Sequence, residues 1–202
     1  MKIYRYYLGQ LAANCYFIIE DKKCLIIDPG DEADFILEKV SRENLEVVGM
    51  LATHGHFDHV MVVGELQLSL DVPLYIDKKD LFLVKRLNET AKYFLGYDPT
   101  VVLPKKIKFF VPGNFQLSTF NFKIIPTPGH TPGSCCFYFP HEHTIFTGDT
   151  LFKGAIGRYD FSYSDKKLLD ESLQKLFLLS EDTIVYPGHG EVTTIGEEQS
   201  TI

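Results

Sequence analysis

The period of the hydrophobic positions changes along the chain, and each change marks an element. Short alternating or apolar blocks predict strands at 3–8, 14–19 and 24–27, and Asp28-Pro29-Gly30 closes the third as a turn. Over 31–42 the apolar positions Phe35, Ile36, Leu37 and Val40 take helical spacing, with acids in the first turns. Residues 47–52 are almost wholly apolar, the pattern of a strand covered on both faces. A helix is expected over 58–70, a strand at 74–76 and a helix over 77–87.

The pattern then breaks. Residues 88–104 contain Gly96, Pro99 and Pro104, and read as a substrate loop or a plain surface connection. Strands resume at 108–111, 120–125, 135–139 and 144–147, followed by a helix over 168–179 and a last strand at 183–186. No internal repeat or low-complexity linker interrupts the chain, so residues 1–202 are expected to form one α/β domain of mixed sheets with helices outside.

Composition narrows the function class. The sequence is 45% apolar and 23% charged, ordinary for a globular fold with a sizeable core. Sixteen Phe and eleven Tyr beside no Trp is unusual but points to no chemistry by itself. A net charge of -7 argues against nucleic acid or an anionic membrane as the main partner. Lys105, Lys106 and Lys108 form the only dense basic cluster and suit a solvated strand edge. The opening residues lack the charged and apolar regions of a signal peptide, and no apolar run approaches the roughly 18 residues of a bilayer span. A cytoplasmic protein is therefore expected, with Cys15, Cys24, Cys135 and Cys136 as reduced packing residues.

The candidate chemistry is concentrated in Thr53-His54-Gly55-His56-Phe57-Asp58-His59. Three imidazoles and a carboxylate so close together have little packing value but are good ligands for zinc or a similar divalent metal. Further ligand types follow predicted strands: His130 after 122–125, Asp149 after 144–147 and His189 after 183–186, just as His54 follows 47–52. Ligands in α/β folds collect at such strand ends. Together His54, His56, Asp58, His59, His130, Asp149 and His189 suffice for two metals. His141 and His143 also form a His-x-His pair, but between two predicted strands, as in an exposed turn. Asp28, at the end of a strand, suits a turn or a support for a ligand.

With these residues in view, the sequence resembles the metallo-β-lactamase superfamily. The resemblance is carried by THGHFDH (53–59), PGHTPGS (128–134), FTGDTLF (146–152) and YPGHG (186–190), and LAANCYFI (11–18) and LIIDPG (25–30) extend it towards the N-terminus. It implies an αββα sandwich, two mixed sheets flanked by helices, with the site at one edge. By the superfamily's pattern His54, His56 and His130 would bind one metal, Asp58, His59 and His189 a second, and Asp149 both.

Within the superfamily, His59 sets the chain apart from most class B β-lactamases, and His56 from flavodiiron proteins, which carry Glu there. The acidic chain shows no basic exosite of the RNA-processing members. GDTLFKGAIGRYDF (148–161), NCY (14–16) and PGHGEVTTIGEE (187–198) look most like short glyoxalase-II-like thioesterases. Glyoxalase II itself carries a C-terminal helical domain with part of its glutathione site; this sequence ends thirteen residues after His189, and no such domain is expected. It also reads Gly188-His189-Gly190-Glu191 where those enzymes have a substrate-contacting Tyr. Arg158 stands where they place a Lys that binds a glutathione carboxylate, and is expected to bind substrate or to serve as a structural ion-pair partner.

The resemblance thus implies a metal-dependent hydrolase of S-lactoylglutathione or a similar small-molecule thioester. It would use two divalent ions, zinc foremost with iron or manganese as alternatives, and a water oriented by Asp58. The other activities it allows are a mononuclear iron persulfide dioxygenase and a lactonase or ester hydrolase.

Overall fold

The N-terminal alternation becomes an antiparallel meander of β1 (Lys2–Leu8), β2 (Ala13–Glu20) and β3 (Lys23–Ile27), with Tyr4 opposite Phe17 and Ile18 opposite Leu25. These come from a computed structural model that describes residues 1–202. Helix α1 (Ala33–Arg42) crosses over to β4 (Glu46–Leu51), which runs parallel to β3, and β5 (Leu74–Ile76) and β6 (Ile107–Phe109) continue in parallel. The first sheet therefore has the order β1-β2-β3-β4-β5-β6.

A second six-stranded sheet has the order β14-β13-β10-β9-β8-β7. Its strands are β7 (Gly113–Leu117), β8 (Phe120–Pro126), β9 (Cys135–Phe139), β10 (Thr144–Gly148), β13 (Ile184–Pro187) and β14 (Thr193–Thr194). Only the β10–β13 pair is parallel. A small hairpin, β11 (Leu151–Phe152) and β12 (Ala155–Ile156), stands apart from both sheets.

Three apolar layers hold the sheets and helices together. Helices α2 (Phe57–Val60), α3 (Val63–Ser69), α4 (Leu81–Val84) and α5 (Leu87–Leu95) join α1 over the outer face of the first sheet, through Ile36, Val60, Leu66, Val84 and Leu87. Helix α6 (Lys166–Leu176) covers the second sheet, packing Leu169, Leu173 and Leu176 near Cys136 and Val185, while the short α7 (Ile195–Gln199) follows β14. Between the sheets lie Tyr16, Ile18 and Leu51 against Phe122, Phe137, Phe139 and Phe146. The result is the expected αββα sandwich.

The excess of Phe and Tyr acquires a meaning in this middle layer. Phe146 meets Tyr16 edge-on at 5.0 Å and stacks on Tyr186 at 5.2 Å, and Phe122 stacks on Phe139 at 5.1 Å. Fully burying a large apolar side chain of this kind contributes about 1.5–3 kcal/mol. All four cysteines are free and buried, with Cys135 in the layer between the sheets and Cys136 in the layer under α6, as neighbours on one strand must be.

Several boundaries differ from the sequence expectation. The helix over 58–70 is two pieces, because Val62 leaves helical geometry (φ -91, ψ 1) between α2 and α3. The helix over 77–87 starts as a 3-10 turn, Lys78–Asp80, whose entry is capped by the Asp77 side chain accepting from the Lys79 amide. The irregular segment 88–104 is helical in its first half: α5 buries Leu87 and Ala91, four residues apart, and ends at Gly96 with φ 77. Strands β7 and β14, the β11–β12 hairpin and α7 have no counterpart in the hydrophobic pattern. Lys108 lies exposed on β6, the edge strand of its sheet, as the basic cluster suggested.

Candidate metal centre

Each ligand-type residue sits where its strand ends. His54, His56, Asp58 and His59 follow β4; His130 follows β8, Asp149 follows β10 and His189 follows β13. All seven predicted positions converge on one place at the edge of the two sheets, in three overlapping groups whose ligand atoms lie within 4.8 Å of one another. His54 Nε2 and His130 Nε2 each stand 3.0 Å from His56 Nδ1. Asp58 Oδ2 lies 3.3 Å from His189 Nε2 and 3.7 Å from His59 Nε2.

Asp149 joins the two triads. Its Oδ1 is 3.4 Å from His59 Nε2 and 3.9 Å from His189 Nε2, while its Oδ2 is 3.6 Å from His130 Nε2. Nitrogens that share a tetrahedral zinc at 2.0–2.1 Å lie roughly 3.3–3.4 Å apart, so these separations fit metal ligands. His59 Nε2 and Asp149 Oδ1 are buried without a hydrogen-bond partner, a costly arrangement that a cation between the triads relieves.

The outer ring nitrogens of four histidines are held, which aims their other nitrogens at the centre. His54 Nδ1 donates to Thr53 Oγ1 at 3.1 Å, His59 Nδ1 to Asp28 Oδ2 at 3.0 Å, and His130 Nδ1 to the Arg158 carbonyl at 2.8 Å. His56, the one that turns its Nδ1 inward, donates from Nε2 to Tyr163 Oη at 2.8 Å. Such partners fix both tautomer and ring orientation. Asp28 is thus both turn and support: at φ 53 it also accepts from the Thr53 amide and hydroxyl, each at 2.7 Å. The approach is tight enough that a Cβ on Gly30 would fall 1.6 Å from the Asp58 carbonyl oxygen.

Two contributors carried no signal in the sequence. Asp80, fully buried, accepts from the Gly55 amide at 2.8 Å, the Gly133 amide at 2.7 Å and the Thr131 hydroxyl at 2.7 Å, and so clamps the loops of His54, His56 and His130 together. In the sequence it looks like any acid entering a helix. Tyr163 sits in an irregular stretch where nothing marks it as a partner of His56.

The His189 loop belongs to the second sheet but is tied to the first. Asn14 donates from its amide to the Gly188 carbonyl at 2.7 Å and from Nδ2 to the Pro187 and Gly190 carbonyls at 2.9 and 3.0 Å, and Tyr16 Oη donates to the Pro187 carbonyl at 2.6 Å.

The electrostatics divide the site. Burial, reinforced by the neighbouring imidazoles, pushes His54 far below the usual histidine range, and burial takes His56 down to about 3, so these rings are neutral at pH 7. Burial also opposes a proton on His59, but Asp149 and Asp58 overcome it and hold that imidazole well above its ordinary value. His189 is raised against burial by its hydrogen bond to Asp58. Asp58 and Asp149 stay low despite burial, chiefly through the His59 charge. The carboxylates thus create a cation-seeking half beside a neutral half, suited to two metal ions.

The centre opens into a cavity of ≈ 410 Å³, walled by Phe57 and Phe94 and by Phe152, Arg158, Phe161 and Tyr163. The Arg158 guanidinium lies over the Phe161 ring at 4.6 Å and makes two bonds to Asp160, at 2.9 and 2.8 Å. It is therefore a cavity residue and an ion-pair partner at once. His141 and His143 lie apart in the exposed turn before β10, where His143 Nδ1 is 3.3 Å from Asp182 Oδ2. No helix is long and apolar enough to cross a membrane.

The comparisons with known proteins agree with this geometry. The family model described as the metallo-beta-lactamase superfamily matches residues 8–189. A relative from Haemophilus influenzae, hydroxyacylglutathione hydrolase GloC, is 40% identical over 92% of this chain and 89% of its own. Among solved structures, TTHA1623 in a di-iron-bound form is 36% identical with a TM-score of 0.90, covering 98% of both chains. The BLEG-1 B3 metallo-beta-lactamase is 32% identical with a TM-score of 0.88, covering 98% of this chain and 97% of that one. With its αββα layers, the converging histidines and aspartates and relatives matched almost end to end, the chain belongs to the metallo-β-lactamase superfamily, in its glyoxalase-II-like branch.

Proposed function

We propose that the protein is a binuclear metallohydrolase that cleaves acyl thioesters of the S-lactoylglutathione kind. The observation that carries this is the carboxylate of Asp149 between two complete triads, its Oδ1 towards His59 and its Oδ2 towards His130. His54, His56 and His130 would hold one divalent ion, Asp58, His59 and His189 the other, and Asp149 both. When bound, such ions make water nucleophilic near neutral pH and polarise a carbonyl.

The chain's own groups supply the rest. Asp58, one-sixth exposed and facing the cavity, accepts a hydrogen bond from the attacking water and orients it towards the thioester carbon. Arg158, at the cavity wall, takes one substrate carboxylate by exchange with Asp160. A thiol leaves with a pKa near 8.5, so the reaction needs no dedicated acid. The hydroxyacylglutathione hydrolase relative supports the thioester class, and the di-iron neighbour supports iron beside zinc or manganese as the metal.

The test is metal content per chain on protein purified without added metal, paired with hydrolysis of S-lactoylglutathione. About two metal ions with thioester turnover are expected. One iron per chain, no thioester turnover and oxygen uptake with a persulfide would replace this proposal with the dioxygenase. Turnover of a β-lactam or a lactone alone would replace it with another hydrolase of the same fold.

A further inference from the structure

The cavity over the centre is built for rings. Phe57 of α2 stacks on Phe94 of α5, 5.7 Å apart and 17° from parallel. A second stacked pair, Phe161 and Tyr163, stands 5.4 Å apart at 12°, with Phe161 edge-on to His56 at 5.2 Å and to His130 at 5.8 Å. Phe152 flanks His189 on the other triad at 6.3 Å. Both triads are therefore bordered by aromatic surface, and Phe94 still presents 47% of its area to solvent.

The charge of the wall points the same way. Glutathione conjugates bring two carboxylates. Apart from the clustered histidines, Arg158 is the only cationic side chain lining this cavity, and its guanidinium already carries the Asp160 carboxylate in a two-bond pair. A second substrate carboxylate would meet the aromatic faces of the wall, and desolvating an unpaired carboxylate is costly. Aromatic faces reward the opposite ligand, one that stacks or fills space.

We propose that the preferred substrate is a thioester of an aromatic or bulky apolar acyl group on a thiol that brings at most one carboxylate. The proposal rests on the thioesterase reading and narrows it. In the reaction, water adds its oxygen to the acyl carbon, the C–S bond breaks with its electron pair going to sulfur, and the proton released from water ends on the thiol. The products are the carboxylic acid and the free thiol, with no change of oxidation state.

The experiment compares four thioesters on the metal-loaded enzyme: lactoyl and phenylacetyl groups, each carried by glutathione and by N-acetylcysteamine. The phenylacetyl N-acetylcysteamine ester is expected to exceed S-lactoylglutathione in kcat/KM by about tenfold or more. Replacing the half-exposed Phe94 (Phe94→Ala) should collapse that ratio while unfolding temperature and metal content hold. S-lactoylglutathione as the best substrate, or equal turnover of all four, overturns this proposal and leaves the thioesterase reading standing. No turnover of any thioester by the loaded enzyme overturns both.

Discussion

Tyr163 Oη accepts a hydrogen bond from His56 Nε2 at 2.8 Å, across 107 positions of sequence. The bond places a half-buried phenol of the cavity wall behind the only clustered histidine that turns its Nδ1 inward. Tyr163→Phe removes the acceptor and leaves the ring stacked on Phe161. Metal affinity at the first triad should fall about 10–100-fold, as expected for loss of an outer partner of a ligating histidine. Competition with a chromophoric chelator measures it, and an unchanged affinity would mean that packing alone orients His56.

Asp80→Asn tests the clamp between the His54–His56 and His130 loops. The carboxamide keeps the shape but turns an amide N–H₂ towards at least one of the donors that the carboxylate now satisfies. A loss of about 1–3 kcal/mol is expected. In a chain of this length that lowers the unfolding temperature by about 2–4 °C per kcal/mol. The loss should appear in metal-free and metal-loaded protein alike, because the clamp lies behind the ligands.

Asp149→Ala removes the one side chain shared by the triads and should abolish hydrolysis. Metal content should fall below that of the unaltered protein, and added zinc should no longer raise the unfolding temperature as it does for a protein that binds ligand in its folded state. Full activity without bound metal would defeat the binuclear scheme.

The cysteines give a prediction that does not depend on the centre. Burial pushes the Cys24 and Cys136 thiols up to about 12 and those of Cys15 and Cys135 well above the ordinary range. All four therefore stay protonated at pH 8, and raising the pH by one unit should not expose a reactive thiolate. A thiol reagent should label none of them in the folded protein and all four in denaturant. Rapid labelling of any of them under native conditions would show that its strand opens locally.

The ligands were legible because their signals are local. His54 to His59 lie within one heptapeptide, and His130, Asp149 and His189 each follow a short apolar strand through a glycine. The supports were not, because their meaning lies in partners far along the chain: Thr131 is 51 residues from Asp80 and His56 is 107 from Tyr163. Helix α5 was hidden for another reason. Gly96 and two prolines end it and follow it, and their breaking signal masks the buried pair Leu87 and Ala91. Strand β7 was missed because its alternation is weak: Gly113, Asn114 and Gln116 outnumber Phe115 and Leu117.

The ties from Asn14 and Tyr16 to the Pro187–Gly190 carbonyls have a consequence for how the protein is made. The N-terminal sheet brings four of the seven ligands and the C-terminal sheet brings His130, Asp149 and His189, so neither half contains a finished centre. While the second half is still being synthesised, the emerging chain offers a metal only a partial set of ligands. Stable uptake of metal during refolding or translation thus reports the moment when the two sheets close on each other, and can serve as its clock.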